Sequence, residues 1–416
     1  MEGDKGKCSK VYGESTSVVR NVEELKRNIE AKCLVHSPSL RSCCIFKVPE
    51  VIRRHSEQAY EPNIVSIGPF HHGKEKFQFF EDVKRWYFTC LLSSSENVSL
   101  DSLIEGIMEL AKSAQGCYVA YPLDGDLDQK YFVEMMIFDG CFLLELFRKT
   151  FSPSLQNIND PVFNMSCMRG HLYHDLLLLE NQLPWSVLEY LYHHTPSRPN
   201  LRGASLTSLV LNFFRQSTAD DQILNPNFNP PGKILHILDL VRCVIRSGLK
   251  KTSSQQPWQE NKGSNLSHRM PNATSLSEAG IRFKKGKREC IMNIEFKNGV
   301  FTIPPLEIDD RTGPLFRNLI AFEQCYRGRA HMITSYAFFM DNLIDSREDI
   351  DFLCDKGILA NWLHPDDAAQ FFNRLYDDTT VMEYYYSGLS DNVNYYYKTK
   401  WHRFMEILRH DYFSTP

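Results

Sequence analysis

A chain of 416 residues with 43% hydrophobic and 24% charged side chains can bury a sizeable core, which excludes disorder of the whole chain. Its 47 basic and 51 acidic residues nearly cancel to a formal charge of -4, so no global field draws it to nucleic acid or to an anionic membrane. Any such contact must be local, and no nucleic-acid partner is expected.

The start, MEGDKGKCSK, is polar and lacks the apolar stretch of a secretory signal, so a reducing, cytoplasm-facing compartment is the expectation. Twelve cysteines are scattered with no CxxC pair, which argues against a zinc ribbon or a disulfide scaffold. The sequons at Asn97, Asn164, Asn265 and Asn272 then read as chance matches. No apolar run approaches the roughly 20 residues that span a bilayer.

In chain order, residues 1–20 read as a loose N-terminus, and NVEELKRNIEAK (Asn21–Lys32) as a helix that Asn21 could cap. Short strands are expected near 43–70: CCIFKVP, which a proline stops, and NIVSI (Asn63–Ile67). Lys76–Leu92 and Ser99–Ala114 have the three-and-four apolar spacing of amphipathic helices. KYFVEMMIFDGCFLLELFRK (Lys130–Lys149) is apolar on nearly every face, as a central helix packed all round would be. DLLLLENQLPWSVLEYLYHH (Asp175–His194) reads as a second such helix that breaks near Pro184 and restarts. Further helices are expected at Leu206–Gln216 and Lys233–Leu249. Lys250–Asn272 is polar and aperiodic, a linker or loop. After it ATSLSEAGIRFKK starts a helix, and residues 289–306 read as a β-hairpin about Asn298-Gly299, a strong turn signal. Helices resume to a last one near Tyr395–Arg409. The expected fold is mainly α, a large helical domain with a small β-hairpin insert. Its two parts, 21–249 and 273–416, are expected to pack as one unit.

The stretch GPFHHGKE (Gly68–Glu75) after NIVSI has the glycines and lysine of a phosphate-binding loop. Pro69 removes an N–H from the cradle, His71 and His72 are bulky, and Glu75 stands where a magnesium-binding hydroxyl belongs. A turn is the better reading, with Gly68 and Gly73 supplying unusual backbone angles. Neither adjacent histidine suits one shared ion. His171 and His174, three apart beside Asp175, are the better spaced metal candidates, yet no third ligand can be placed. Asp139, Glu145, Asp175 and Glu180 stand in apolar surroundings and could pair for acid-base work. A structural network is the competing reading, because Glu180, Asn181 and Gln182 fall where the helix breaks before Pro184 and free backbone groups need partners. No cofactor signature is present.

RFKKGKRE packs Arg282, Lys284, Lys285, Lys287 and Arg288 together, a solvated face or a contact for anionic headgroups. Trp401 and Arg403, in an aromatic and basic C-terminal stretch, fit a membrane interface or an ordinary amphipathic helix.

VPEVIRR with NIVSIGPFHHGK, FVEMMIFDGCFLLELF, DLLLLENQLPW, and ATSLSEAGIRFKK with IPPLEIDDRTGPLFRNLIAFEQC occur in this order. Together they resemble the plant family known as domain of unknown function 247, over nearly all of residues 43–416. The resemblance implies a membrane-associated protein anchored by an apolar span after a DYF-type ending. Here that span would lie beyond Pro416, and without it the protein would be cytoplasmic. It also implies roles in self-incompatibility or in defence and stress, and it carries no established enzymatic activity. The function expected is therefore non-enzymatic recognition or signalling. Specificity would sit on the loops Ser152–Asn164, Thr195–Asn200, Ser217–Gly232 and Lys250–Asn272, with a protein partner. The rival is a hydrolase or metal-dependent enzyme built on the carboxylates of the two apolar helices. Oligomeric state cannot be read from the sequence.

Overall fold

The computed structural model describes residues 22–30, 42–93, 99–119, 126–196, 199–201, 203–217, 228–249, 269–288, 290–381 and 384–412. The side chains of 126–127, 199, 216–217 and 400–412 lie outside that description. The chain divides into Met1–Ser42 and Cys43–Pro416. In the first unit residues 22–30 are helical, with a Lys26–Glu30 pair one turn apart at 3.9 Å. The N-terminal segment 1–20 and nearly all of the polar stretch 250–272 lie outside the described residues.

The second unit is mainly α. Helices α1 (Gln78–Ser93), α2 (Leu100–Gln115) and α3 (Asp126–Phe151) open it. Residues 139–150 of α3 are all buried, as an all-round apolar sequence requires. Phe142 packs edge-on against Phe80 and lies beside Tyr87, while Phe147 meets Phe213. Around α3 stand α1, α2, α5 (Trp185–His194) and α6 (Leu206–Ser217). Between α3 and α5 lies the short α4 (Met168–Asp175), and α7 (Ile237–Ile245) follows α6.

The C-terminal part carries α8 (Ala273–Glu278), α9 (Thr312–Cys325), α10 (Met332–Leu343), α11 (Arg347–Asp355), α12 (Pro365–Asn373) and α13 (Ser387–Tyr412). Its small sheet runs β1 (Arg282–Lys285), β3 (Val300–Ile303), β2 (Glu295–Lys297), with β1 parallel and β2 antiparallel to β3. Asn298 at φ 51° and Gly299 at φ 72° close the hairpin, both in the left-handed region that a tight two-residue turn demands. Phe283, Phe296 and Phe301 of the sheet pack on Phe352 of α11, Tyr396 of α13 and Phe339 of α10. A second, parallel pair joins β4 (Leu306–Ile308) to β5 (Leu359–Asn361).

Three expectations are corrected. Residues 43–70 hold no strand; Ile45 makes a single bridge to Tyr118, and the irregular run 63–68 gives the N–H groups of residues 63, 64, 65, 67 and 68 to side chains instead. Of the Asp175–His194 helix the restart after Pro184 is present as α5, but the half before it is not helical: Asp175 ends α4, and 176–184 is irregular. The helix after Asn272 ends at Glu278, where Gly280 at φ 85° turns the chain, and RFKK leaves it as β1. That strand depends on a partner well downstream, Arg282 lying against Val300, which local spacing cannot show.

Candidate functional site

Four of the polar residues singled out by sequence, Asp139, Asp175, Glu180 and Asn181, bind within residues 60–75. Asp175, fully buried at the end of α4, accepts from the N–H groups of Asn63, Ile64 and Val65 at 2.7, 2.8 and 3.0 Å. Asn181 Oδ1 accepts from Ile67 N–H at 2.6 Å, and its amide donates to the carbonyls of Val65 and Asp175. Asp139 of α3 accepts from Gly68 N–H at 2.8 Å and pairs with the buried Lys84 of α1 at 2.6 Å. Lys84 also binds Glu81 and the carbonyl of Ser66. The segment belongs to no sheet, and side chains supply the acceptors for its N–H groups.

Gly68 at φ 73° ends this run, and a methyl group there would lie 2.7 Å from the Gln182 carbonyl and 2.9 Å from the Tyr118 hydroxyl. Those two atoms hydrogen-bond each other at 3.0 Å. Gly73 is also left-handed, at φ 78°, and faces open space. Pro69 lies between them, half-buried, while Phe70 meets Tyr118 edge-on. His71 is buried and His72 exposed. Lys74 Nζ lies 2.9 Å from His71 Nδ1, and His71 Nε2 lies 3.2 Å from Glu180 Oε2.

Glu180 also binds Arg53 and accepts from Val48 N–H at 2.7 Å. Burial alone would raise its pKa, but His71, the Val48 N–H and Arg53 hold it below the ordinary glutamate value. Glu61, beside Lys74, His71 and Lys76, is likewise lowered against its own burial. For Asp139 the balance reverses: burial outweighs Lys84 and the Gly68 N–H, and its pKa is raised. Gln182 completes the set, donating to the carbonyls of Leu176 and Leu178 and accepting from Leu238 N–H of α7. Pro184 precedes α5, whose Trp185 N–H reaches the Leu235 carbonyl at 2.8 Å.

The donors that a phosphate cradle would need at Ile67 and Gly68 are therefore already bound to protein oxygens, and Lys74 is paired with Glu61 at 3.2 Å. Asp139 and Asp175 serve the segment before Gly68, whereas Glu180 serves Val48, Arg53 and His71. Glu145 stands apart, 3.1 Å from Arg148, which reaches Thr195. His174 Nδ1 is engaged by Asp175 at 2.9 Å and Asn63 at 3.0 Å, and His171 is exposed. Among the described residues no group of three or more His, Cys, Asp or Glu is arranged to hold a metal ion. Arg282, Lys284 and Lys285 are exposed on the edge strand β1, where basic side chains discourage further strand pairing; Lys287 and Arg288 follow it, also exposed. Trp401 and Arg403 lie on α13, with side chains outside the described residues. Among the described residues no helix is long and apolar enough to cross a membrane.

Sequence reading missed Lys84, Arg53 and Asn318. Lys84 had a signal: it shares the helical face of Phe80, Val83, Tyr87 and Leu91, all buried. Asn318 of α9, which accepts from Leu179 N–H and donates to the Ala59 carbonyl, had none. Two concavities are also present. One of about 490 Å³, between α1, α2 and α3, is walled by Phe88, Leu100, Ile104, Met108, Ile137 and Phe138, with Lys130 and Glu134 among its remaining lining residues. The other, about 660 Å³ and polar, lies between the start of α11 and α12. Neither is lined by Asp139, Glu145, Asp175 or Glu180.

The chain is similar to UPF0481 protein At3g47200 of Arabidopsis thaliana, 30% identical over 408 residues, covering 93% of this chain and 84% of that protein. It is also similar to Putative UPF0481 protein At3g02645 of the same plant, 21% identical over 92% of this chain and 87% of that protein. No solved structure matches it. Residues 45–416 match DUF247, described as a plant protein of unknown function, and they contain the turn Gly68–Gly73 and every residue clasping it; the chain belongs to that family.

Proposed function

We propose that this chain is a non-enzymatic recognition protein whose helical body presents loops to a protein partner. The observation that carries this reading is the loop Ser152–Asn164. Its base is held by Asp160, fully buried, which binds Lys149 at 2.7 Å, Tyr87 at 2.9 Å and its own Val162 N–H at 3.0 Å. Its tip presents Ile158 at 86% exposure. A rigid anchor beneath an exposed apolar tip lowers the entropy lost when a partner binds. The employment of Asp139, Asp175 and Glu180 as backbone acceptors supports the same reading, since groups spent on structure are not poised for acid-base work.

Of the remaining loops, Thr195–Asn200 is described in part, and most of Ser217–Gly232 and Lys250–Asn272 lies outside the described residues. We infer a membrane-associated setting from the resemblance stated above, with the exposed Arg282, Lys284 and Lys285 offering an edge suited to anionic headgroups. Recognition in self-incompatibility or in defence and stress is the corresponding biological reading. The test is proximity labelling in plant tissue with the native chain and with one whose Ser152–Asn164 loop is exchanged for that of a relative. The labelled partner set should change with the loop. A set that survives the exchange, with the folded protein present at equal abundance, would remove the loop from the recognition surface.

A further inference from the structure

Two cysteines outside the Gly68–Gly73 region meet where the second unit begins. The N–H groups of Cys44 and Ile45 both donate to the Cys117 carbonyl at 2.9 Å, and Val119 N–H donates to the Ile45 carbonyl at 3.1 Å. Ile45 and Tyr118 thereby form a parallel bridge. Cys44 and Cys117 each precede a bridged residue, so they are lateral neighbours with side chains on the same side, an arrangement within the Cα separation a disulfide needs. Both are free thiols, and Cys117 Sγ donates to the Ser113 carbonyl at 3.5 Å. Cys44 is buried at 3% exposure, whereas Cys117 is half-buried just beyond the C-terminal end of α2. Cys43 alternates to the other side of the extended segment, where its Sγ lies 3.8 Å from the Tyr118 carbonyl.

We propose that Cys44 and Cys117 are a reversible disulfide site, with Cys117 the thiol that meets a peroxide and Cys44 the thiol that resolves it. Cys117 suits the first role because it is the more accessible of the two. The Cys44 thiol beside it and the charge of Lys233 hold it below the usual thiol pKa, burial opposing them. Cys44 is pushed the other way, by Cys117 and by burial. In the first step the Cys117 thiolate attacks a peroxide oxygen. An S–O bond forms, the O–O bond breaks, the sulfur loses two electrons to become a sulfenic acid, and the departing hydroxide takes a proton to leave as water. In the second, the Cys44 sulfur attacks the sulfenic sulfur; the S–S bond forms, the S–O bond breaks, and the hydroxyl leaves as a second water with the Cys44 proton. A dithiol returns both groups to thiols.

The bridge would staple Cys44 to the end of α2, the helix that supplies Leu100, Ile104 and Met108 to the apolar concavity. It would therefore restrict that wall in oxidised protein only. The experiment treats the reduced, folded 416-residue chain with hydrogen peroxide, alkylates the remaining thiols and maps the peptides by mass spectrometry. A Cys44–Cys117 cross-linked peptide should appear, vanish with dithiothreitol, and raise the thermal midpoint by roughly 5 °C. Cys43→Ser should retain it. Cys44→Ser should lose it and leave a Cys117 sulfenic acid that dimedone traps. Both thiols remaining alkylatable after peroxide, or Cys117 cross-linking to Cys43, would overturn the assignment; the native chain alone decides this if a variant fails to fold.

Discussion

Gly68 meets two demands at once: its backbone lies at φ 73°, and its α-carbon stands against the Gln182 carbonyl and Tyr118 hydroxyl. A β-carbon in the left-handed region costs about 1–2 kcal/mol before any contact is counted. At Gly68 it would also push apart a buried hydrogen bond, worth about 1 kcal/mol more. Gly73 has the same backbone sign and nothing within 4 Å. Gly68→Ala should therefore lower unfolding stability by about 3 kcal/mol and Gly73→Ala by about 1 kcal/mol, read from denaturant midpoints at unchanged slope. Equal losses would mean that the crowding at Gly68 relaxes freely and that the turn is not packed as described.

At the scale of elements, carboxylates repeatedly do for a helix or loop what its own sequence does not. Helix α10 has no side-chain cap from His331. Glu323 of α9 instead accepts from the N–H groups of Met332, Ile333 and Thr334 at 3.2, 3.1 and 2.9 Å, and Arg242 of α7 holds that carboxylate at 2.8 Å. Both members of the pair are fully buried, so removing either strands a charge, at about 3–5 kcal/mol. Glu323→Gln and Arg242→Met should each destabilise by that order, and the double variant by clearly less than the sum, measured as a double-mutant cycle. Strict additivity would show that the ion pair and the cap are independent.

These distant caps also explain which elements could be read from the sequence. The all-round apolar α3 and the Asn298-Gly299 hairpin carry their reasons locally. DLLLLENQ does not: its leucines look helical, but Leu179 N–H is bound by Asn318 and the carbonyls of Leu176 and Leu178 by Gln182, leaving no need of a helix to satisfy them. NIVSI similarly looks like a strand, yet it joins no sheet, and Asp175 and Asn181 supply its acceptors. The candidate residues Asp139, Asp175, Glu180, Asn181 and Gln182 were visible as polar groups in apolar surroundings. The segment before Gly68, which Asp139, Asp175 and Asn181 clasp, was hidden as their target because those partners come from 71 to 116 residues away.

For the unit Cys43–Pro416 these clasps form a continuous path. The segment 63–68 is tied to α3 through Asp139 and to the 176–184 connection through Asn181. Gln182 carries the path to α7, and Asn318 carries it to α9 and back to Ala59. With so many elements holding one irregular segment, that segment should open only when the whole unit unfolds, although it belongs to no sheet. A rigid body of this kind is what the recognition reading requires beneath its loops.

The most direct test is native-state hydrogen exchange at the amides of Ile64, Val65, Ile67 and Gly68. In the native chain they should exchange at the slow limit shared with α3, rising to that limit with the global denaturant slope. In Asp175→Asn, Ile64 and Val65 should exchange at least about tenfold faster than the α3 amides, a difference of about 1.4 kcal/mol. Fast, slope-independent exchange of these amides in the native chain would contradict the account, because the buried carboxylates would then not be holding the segment they touch.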